Sequence, residues 1–163
     1  MATERVNVLP AAYTATELLG RLHRASGVAD ITSERLVYYP YFRFAVKAKL
    51  PALFGAKDVA LEVLVDAING TGFTAETLVP VTMPVDRDAI LEYRHVEDTA
   101  LRIAQRTATN ALTKRARTVA GFDMQLDARG IVYRPFLILD AAGTAMLADT
   151  VTGALHALEM RAA

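Results

Sequence analysis

The residues best placed for chemistry are two aspartates, Asp66 and Asp149. They recur in similar settings, Leu64-Val65-Asp66-Ala67-Ile68-Asn69-Gly70 and Leu147-Ala148-Asp149-Thr150-Val151-Thr152-Gly153. Two carboxylates at matching positions could act as general acid and base, or ligate a hard cation. Each, however, closes an apolar run just before a turn that ends in glycine, where an aspartate side chain accepts the turn amides. They are therefore read as turn caps. Tyr38 or Tyr133, paired with an Asp or an Arg, could transfer a proton or orient a ligand. His23, His95 and His156 are far apart in sequence and lack a metal-ligand spacing. The only serines, Ser26 and Ser33, sit in no nucleophile elbow, and no glycine-rich phosphate loop is present. Arg102, Arg106, Lys114 and Arg117 could follow a phosphate backbone, but Glu97, Asp98 and the acidic stretch from Asp86 to Glu92 neutralise them. A solvated helix face is expected there. No catalytic residue, metal or cofactor is assigned.

A binding surface has more support. The stretch Val37-Tyr38-Tyr39-Pro40-Tyr41-Phe42 returns in degenerate form as Val132-Tyr133-Arg134-Pro135-Phe136-Leu137. From Leu36 the hydrophobic period is two: Leu36, Tyr38, Phe42, Phe44 and Val46 alternate with Tyr39, Tyr41, Arg43 and Lys47. The second set combines large contact area with polar tips, as interface residues do. The second copy offers Arg134, Phe136 and Ile138 at matching places; the face could meet a partner or be covered internally by the arm or the crossing segment. The apolar segment Leu50-Pro51-Ala52-Leu53-Phe54-Gly55, flanked by Lys47, Lys49 and Lys57, could plug a partner's groove with Leu53 and Phe54, dip into a membrane interface, or fold back over the core.

These side chains require a repeated scaffold. Thr14-Ala15-Thr16-Glu17 has capping-box spacing, and Leu18, Leu19, Leu22 and Ala25 predict a helix over about 15–26, stopped by Gly27. A leader strand or arm precedes it and ends at Pro10. Pro40 cannot donate to a ladder, so it belongs at a sheet edge, a bulge or a strand's beginning, and Pro135 makes the same demand. Pro40 and Pro135 are 95 residues apart but Asp66 and Asp149 only 83, so the first copy carries about twelve extra residues, read as a long loop between its strands. Residues 59–67 are nearly all apolar, which predicts a strand buried on both faces. Val79 to Val85, with two prolines, predicts an extended crossing segment. A second helix should run from 95–98 to about Val119 before Gly121, with Leu101, Ala104, Ala108, Ala111 and Leu112 on its apolar stripe. A second hairpin turns at Asp140-Ala141-Ala142-Gly143, and residues 154–160 suit a short terminal helix.

The expectation is one α+β domain over residues 1–163. It is a duplicated α-β-β repeat, about 11–72 and 95–156, joined by an extended segment 73–94. The repeats would form an antiparallel sheet with the helices on one face. At 163 residues and 53% hydrophobic content the chain can build one real core. Its formal net charge of 0 gives no global attraction to nucleic acid or to an anionic membrane. The absence of cysteine removes disulfides and thiol chemistry and fits a reducing compartment. With no basic leader before an apolar run, the expected location is cytoplasmic.

An αββ unit whose second strand ends in a hydrophobic-Asp-small-x-x-Gly turn, as in Val65 to Gly70, resembles the PepSY module. Two in tandem are similar in layout to the beta-lactamase inhibitor proteins. The resemblance implies a non-catalytic module that binds another protein across its open sheet face. Together with the residue pattern, it gives the leading expectation: a protein-binding or self-associating module using Tyr39, Tyr41, Arg43, Lys47, Leu53, Phe54, Arg134, Phe136 and Ile138. The alternative is a small enzyme or carrier with an apolar ligand pocket between helices and sheet.

Overall fold

The computed structural model describes residues 2–52, 55–116 and 123–157. In chain order it contains β1 (Thr3–Val8), α1 (Ala15–Ser26), β2 (Ile31–Ala52), β3 (Gly55–Asp66), β4 (Gly72–Ala75), β5 (Val81–Asp86), α2 (Glu97–Ala116), β6 (Asp123–Ala141), β7 (Thr144–Asp149) and β8 (Leu155–Ala157). The strands join in the order β4-β3-β2-β6-β1-β5, with β7 beside β6 and β8 beside β7. The protein is thus mixed α+β, with two α-helices among the described residues and a large, mostly antiparallel sheet; β1 meets β6 in parallel at Val8 and Tyr133. Among the described residues, no helix is long and apolar enough to cross a membrane.

The residues pack as two compact units. One comprises Met1–Tyr39, Pro80–Leu91 and Tyr133–Ala163, the other Pro40–Val79 and Glu92–Val132. In the first, Thr14 caps α1: its Oγ1 accepts from Glu17 N at 3.2 Å while its own amide donates to Glu17 Oε2 at 2.7 Å. Gly27 ends the helix at φ 68°, a left-handed conformation that glycine takes at no steric cost. Leu18 and Leu22 then pack on Leu137, Leu139 and Ala148. In the second unit α2 buries Ala100, Ala104, Ala108 and Leu112 against Phe42, Phe44, Val46, Val63 and Val65. Alanine every fourth residue forms one narrow stripe and lets the helix sit close to its strands.

Three sequence expectations need correction. Residues 50–52 and 55–57 lie in strands, not in a loop. The β2–β3 ladder runs for twelve pairs, from Tyr41–Asp66 to Ala52–Gly55, whereas β6–β7 has six, from Phe136–Asp149 to Ala141–Thr144. The twelve extra residues lengthen both strands, because Lys47, Lys49 and Lys57 alternate with buried Ala48 and Leu50 as strand residues do. Leu53 and Phe54 lie outside the described residues, as do Arg117 and the end expected for the second helix at Val119. Second, Pro40 is buried within a 22-residue strand that has β3 on one side and β6 on the other. It is tolerated there because the ladder with β3 starts only at Tyr41, while the Pro40 carbonyl accepts from Ala67 N at 3.1 Å. Third, residues 155–157 form β8, paired with β7, where a helix was expected.

Gly72 marks the closest approach of α2 to β4. A Cβ there would lie 2.3 Å from Thr107 Oγ1 and 3.0 Å from Ile103 Cγ2. Gly72→Ala is therefore expected to lower the unfolding free energy in urea by about 1–3 kcal/mol. Adding Thr107→Ala should restore part of that loss; equal stability of Gly72→Ala and wild type would refute this account of the packing.

Candidate functional site

The recurrent aspartates are turn caps. Asp66 Oδ1 accepts from Ile68 N at 2.8 Å and Asn69 N at 3.0 Å, and its carbonyl accepts from Gly70 N at 2.9 Å. Asp149 repeats the pattern, with Val151 N at 2.8 Å, Thr152 N at 3.3 Å and Gly153 N at 2.8 Å. A carboxylate committed to two turn amides is held in place. Among the described residues no group of three His, Asp or Glu side chains is placed to hold a metal ion.

The expected partner surface is largely consumed inside the chain. Tyr41 is 6% exposed and meets Phe73 edge to face at 5.7 Å; Phe136 is 5% exposed and meets Tyr39 at 5.9 Å. Arg43 donates to Glu62 Oε1 at 2.8 and 2.5 Å and to the Leu78 carbonyl at 3.1 Å, while Leu78 N donates to Glu62 Oε2 at 2.6 Å. This clamp fixes the segment after β4. Arg134 pairs with the buried Asp149 at 3.6 Å. Tyr39 and Ile138 are half-buried and Lys47 is exposed. Tyr41 and Phe136 are thus buried, and Arg43 and Arg134 are held in ion pairs, where an interface anchor would present free surface. Lys47 lines a cleft of about 640 Å³ in the second unit with Lys49, Asp58 and Asp123, whose opposite charges offset one another.

The first unit holds a different kind of site. A cleft of about 480 Å³, within the range of ligand pockets, is walled by Val8, Leu9, Tyr13, Leu36, Tyr38, Val81, Met83, Pro135, Leu137 and Thr150. Short backbone bonds fix its sides. Leu9 N donates to the Tyr133 carbonyl at 2.9 Å, and Ala12 N and Tyr13 N to the Thr150 carbonyl at 2.8 and 2.9 Å. Leu91 N holds the Tyr38 carbonyl at 3.0 Å. Thr150 Oγ1 is spent on the Pro135 carbonyl at 2.6 Å. Leu36, Val81 and Met83 remain 39%, 51% and 37% exposed, and they are half of the large hydrophobic side chains so exposed among the described residues. Wet apolar surface is thus concentrated around one cavity.

No family model matches this chain, and no curated protein or solved structure matches it either.

The cleft has one deep polar feature. Tyr38 lines the cleft and is 8% exposed. Burial raises its pKa above the ordinary 10.0, so the phenol stays neutral and able to donate. Sequence reasoning had named Tyr38 but not Leu9, Val81 or Met83. They come from the arm and the crossing segment, and no local pattern brings those segments together.

Two outcomes are expected here. Arg43→Met leaves Glu62, 6% exposed, without its cation and should cost about 3 kcal/mol in urea unfolding, most of it recovered by adding Glu62→Gln. A surface that served only to bind a partner would leave stability unchanged. For Tyr38, the folded-state pKa lies above the unfolded value, so its stabilising effect is whole below pH 10.0 and declines as pH rises through the folded value. The stability difference between wild type and Tyr38→Phe should shrink above that pH, with Tyr38 titrating after the exposed tyrosines at 295 nm.

Proposed function

We propose that this protein is a non-catalytic binding protein for a small ligand with an apolar body and a hydrogen-bond acceptor, held in the cleft around Tyr38. The observation that carries this reading is the rim of exposed Leu36, Val81 and Met83 around a cleft that the phenol of Tyr38 lines. An acceptor on the ligand would bond to Tyr38, and its hydrocarbon would cover the rim at about 0.8 kcal/mol per buried methylene. Catalysis finds less support, because beside the two phenols of Tyr13 and Tyr38 the lining offers only the Thr150 hydroxyl, already bonded to the Pro135 carbonyl, and no carboxylate, imidazole or amine. Binding of another protein across Tyr41 and Phe136 is disfavoured by their burial. The scaffold we read as a duplication, supported by the paired Asp66 and Asp149 turns and by Pro40 and Pro135, each one residue ahead of its hairpin ladder. The lack of cysteine supports a cytoplasmic setting.

The test is fluorescence of the neutral probe N-phenyl-1-naphthylamine, which brightens in apolar sites. Wild type should bind it saturably. Val81→Asp and Met83→Asp, at exposed positions that tolerate the change, should weaken binding at least about tenfold with melting temperature unchanged. No saturable signal with wild type, or equal binding by both variants, would end this reading.

A further inference from the structure

Resting on that reading, we infer that the ligand is an amphipathic anion, its carboxylate held where Tyr13 and Arg21 meet at one end of the cleft. Tyr13 lines the cleft, and Arg21 stacks over its ring at 4.4 Å from the centroid. Arg21 Nη2 donates to the Tyr13 hydroxyl at 3.1 Å, and Nη1 donates to the Gly153 carbonyl at 3.3 Å. The phenol oxygen is therefore occupied as an acceptor while its own proton is left to donate, and the neighbouring cation favours a negative partner for it. The arrangement is built into the backbone: a Cβ on Gly153 would lie 2.5 Å from Arg21 Nη1 and 3.0 Å from the Tyr13 ring. No Asp or Glu lines the cleft. Its polar groups thus offer donors backed by a positive charge, and an acceptor-only carboxylate is the ligand head that complements them. The apolar walls select the rest of the molecule, and Tyr38 remains for a polar atom along its body. A cationic head meets Arg21 and no counter-charge, and a neutral alcohol gains the hydrocarbon contact alone.

The experiment first measures probe binding, then displaces bound N-phenyl-1-naphthylamine with decanoate, decanol and decyltrimethylammonium, each below its micelle-forming concentration. Wild type should take decanoate about fivefold or more tighter than either competitor, with affinity rising about fourfold for each methylene added to the acid and the preference shrinking as salt is raised. Arg21→Gln should abolish the preference for the acid while leaving probe binding intact. Arg21→Lys should keep part of it, and Tyr13→Phe should lower it by removing the donated proton. Circular dichroism melts check that α1 persists in each variant. Decanol equal to decanoate, preference for the ammonium, or an unchanged preference in Arg21→Gln would overturn the anion assignment while the apolar cleft stands. Failure of the probe itself to bind wild type would overturn the cleft reading, and this inference with it.

Discussion

The structure turns on an amide that does not exist. β2 is hydrogen-bonded by β3 and β6, and Pro40 in its middle can donate to neither. The chain accommodates this by starting the β2–β3 ladder at the next residue and by giving the Pro40 carbonyl to Ala67 N. Ala67 also accepts from Arg94 N and His95 N, at 2.8 and 3.0 Å, which leads the chain into α2. The first segment of one compact unit ends at Tyr39, and the first segment of the other begins at Pro40. Pro135 stands in the same relation to the β6–β7 ladder, its carbonyl taken by Thr150. The two proline positions therefore fix where each hairpin begins, and with it which side chains face α1 and α2.

Much of this was legible because it is local. A capping box four residues long specifies the start of α1, an Asp followed by a Gly specifies each turn, and an unbroken apolar run specifies a strand with no wet face. What escaped is what local pattern misreports. Pro51 and Gly55 punctuate the first hairpin like a loop, yet Ala48 and Leu50 keep the strand period and are buried. β4 and β8 are four and three residues long, too short for a period to register. Tyr41 and Phe136 look like an outward face because alternation assigns one buried side to a strand, and these strands bury both.

The cleft was the least legible feature for a related reason. Its wall draws on four separated stretches, residues 8–15, 36–38, 81–83 and 135–150. None of them carries a motif. Leu9 and Met83 are ordinary hydrophobic residues in sequence and become informative only through what they leave uncovered. Tyr38 could be named beforehand because a phenol on an apolar strand face has to find a partner or a ligand for its hydroxyl.

β5 pairs with β1 alone among the described residues, so its outer margin is a place where another strand could add. It also carries Val81 and Met83, apolar and uncovered, and a flat greasy margin of that kind seeds fibrils. Pro84 interrupts it, offering no amide and forcing a fixed φ in the middle of the strand. A chain that keeps hydrophobic side chains open to water thus carries, among those same residues, one position that has no amide to offer an added strand.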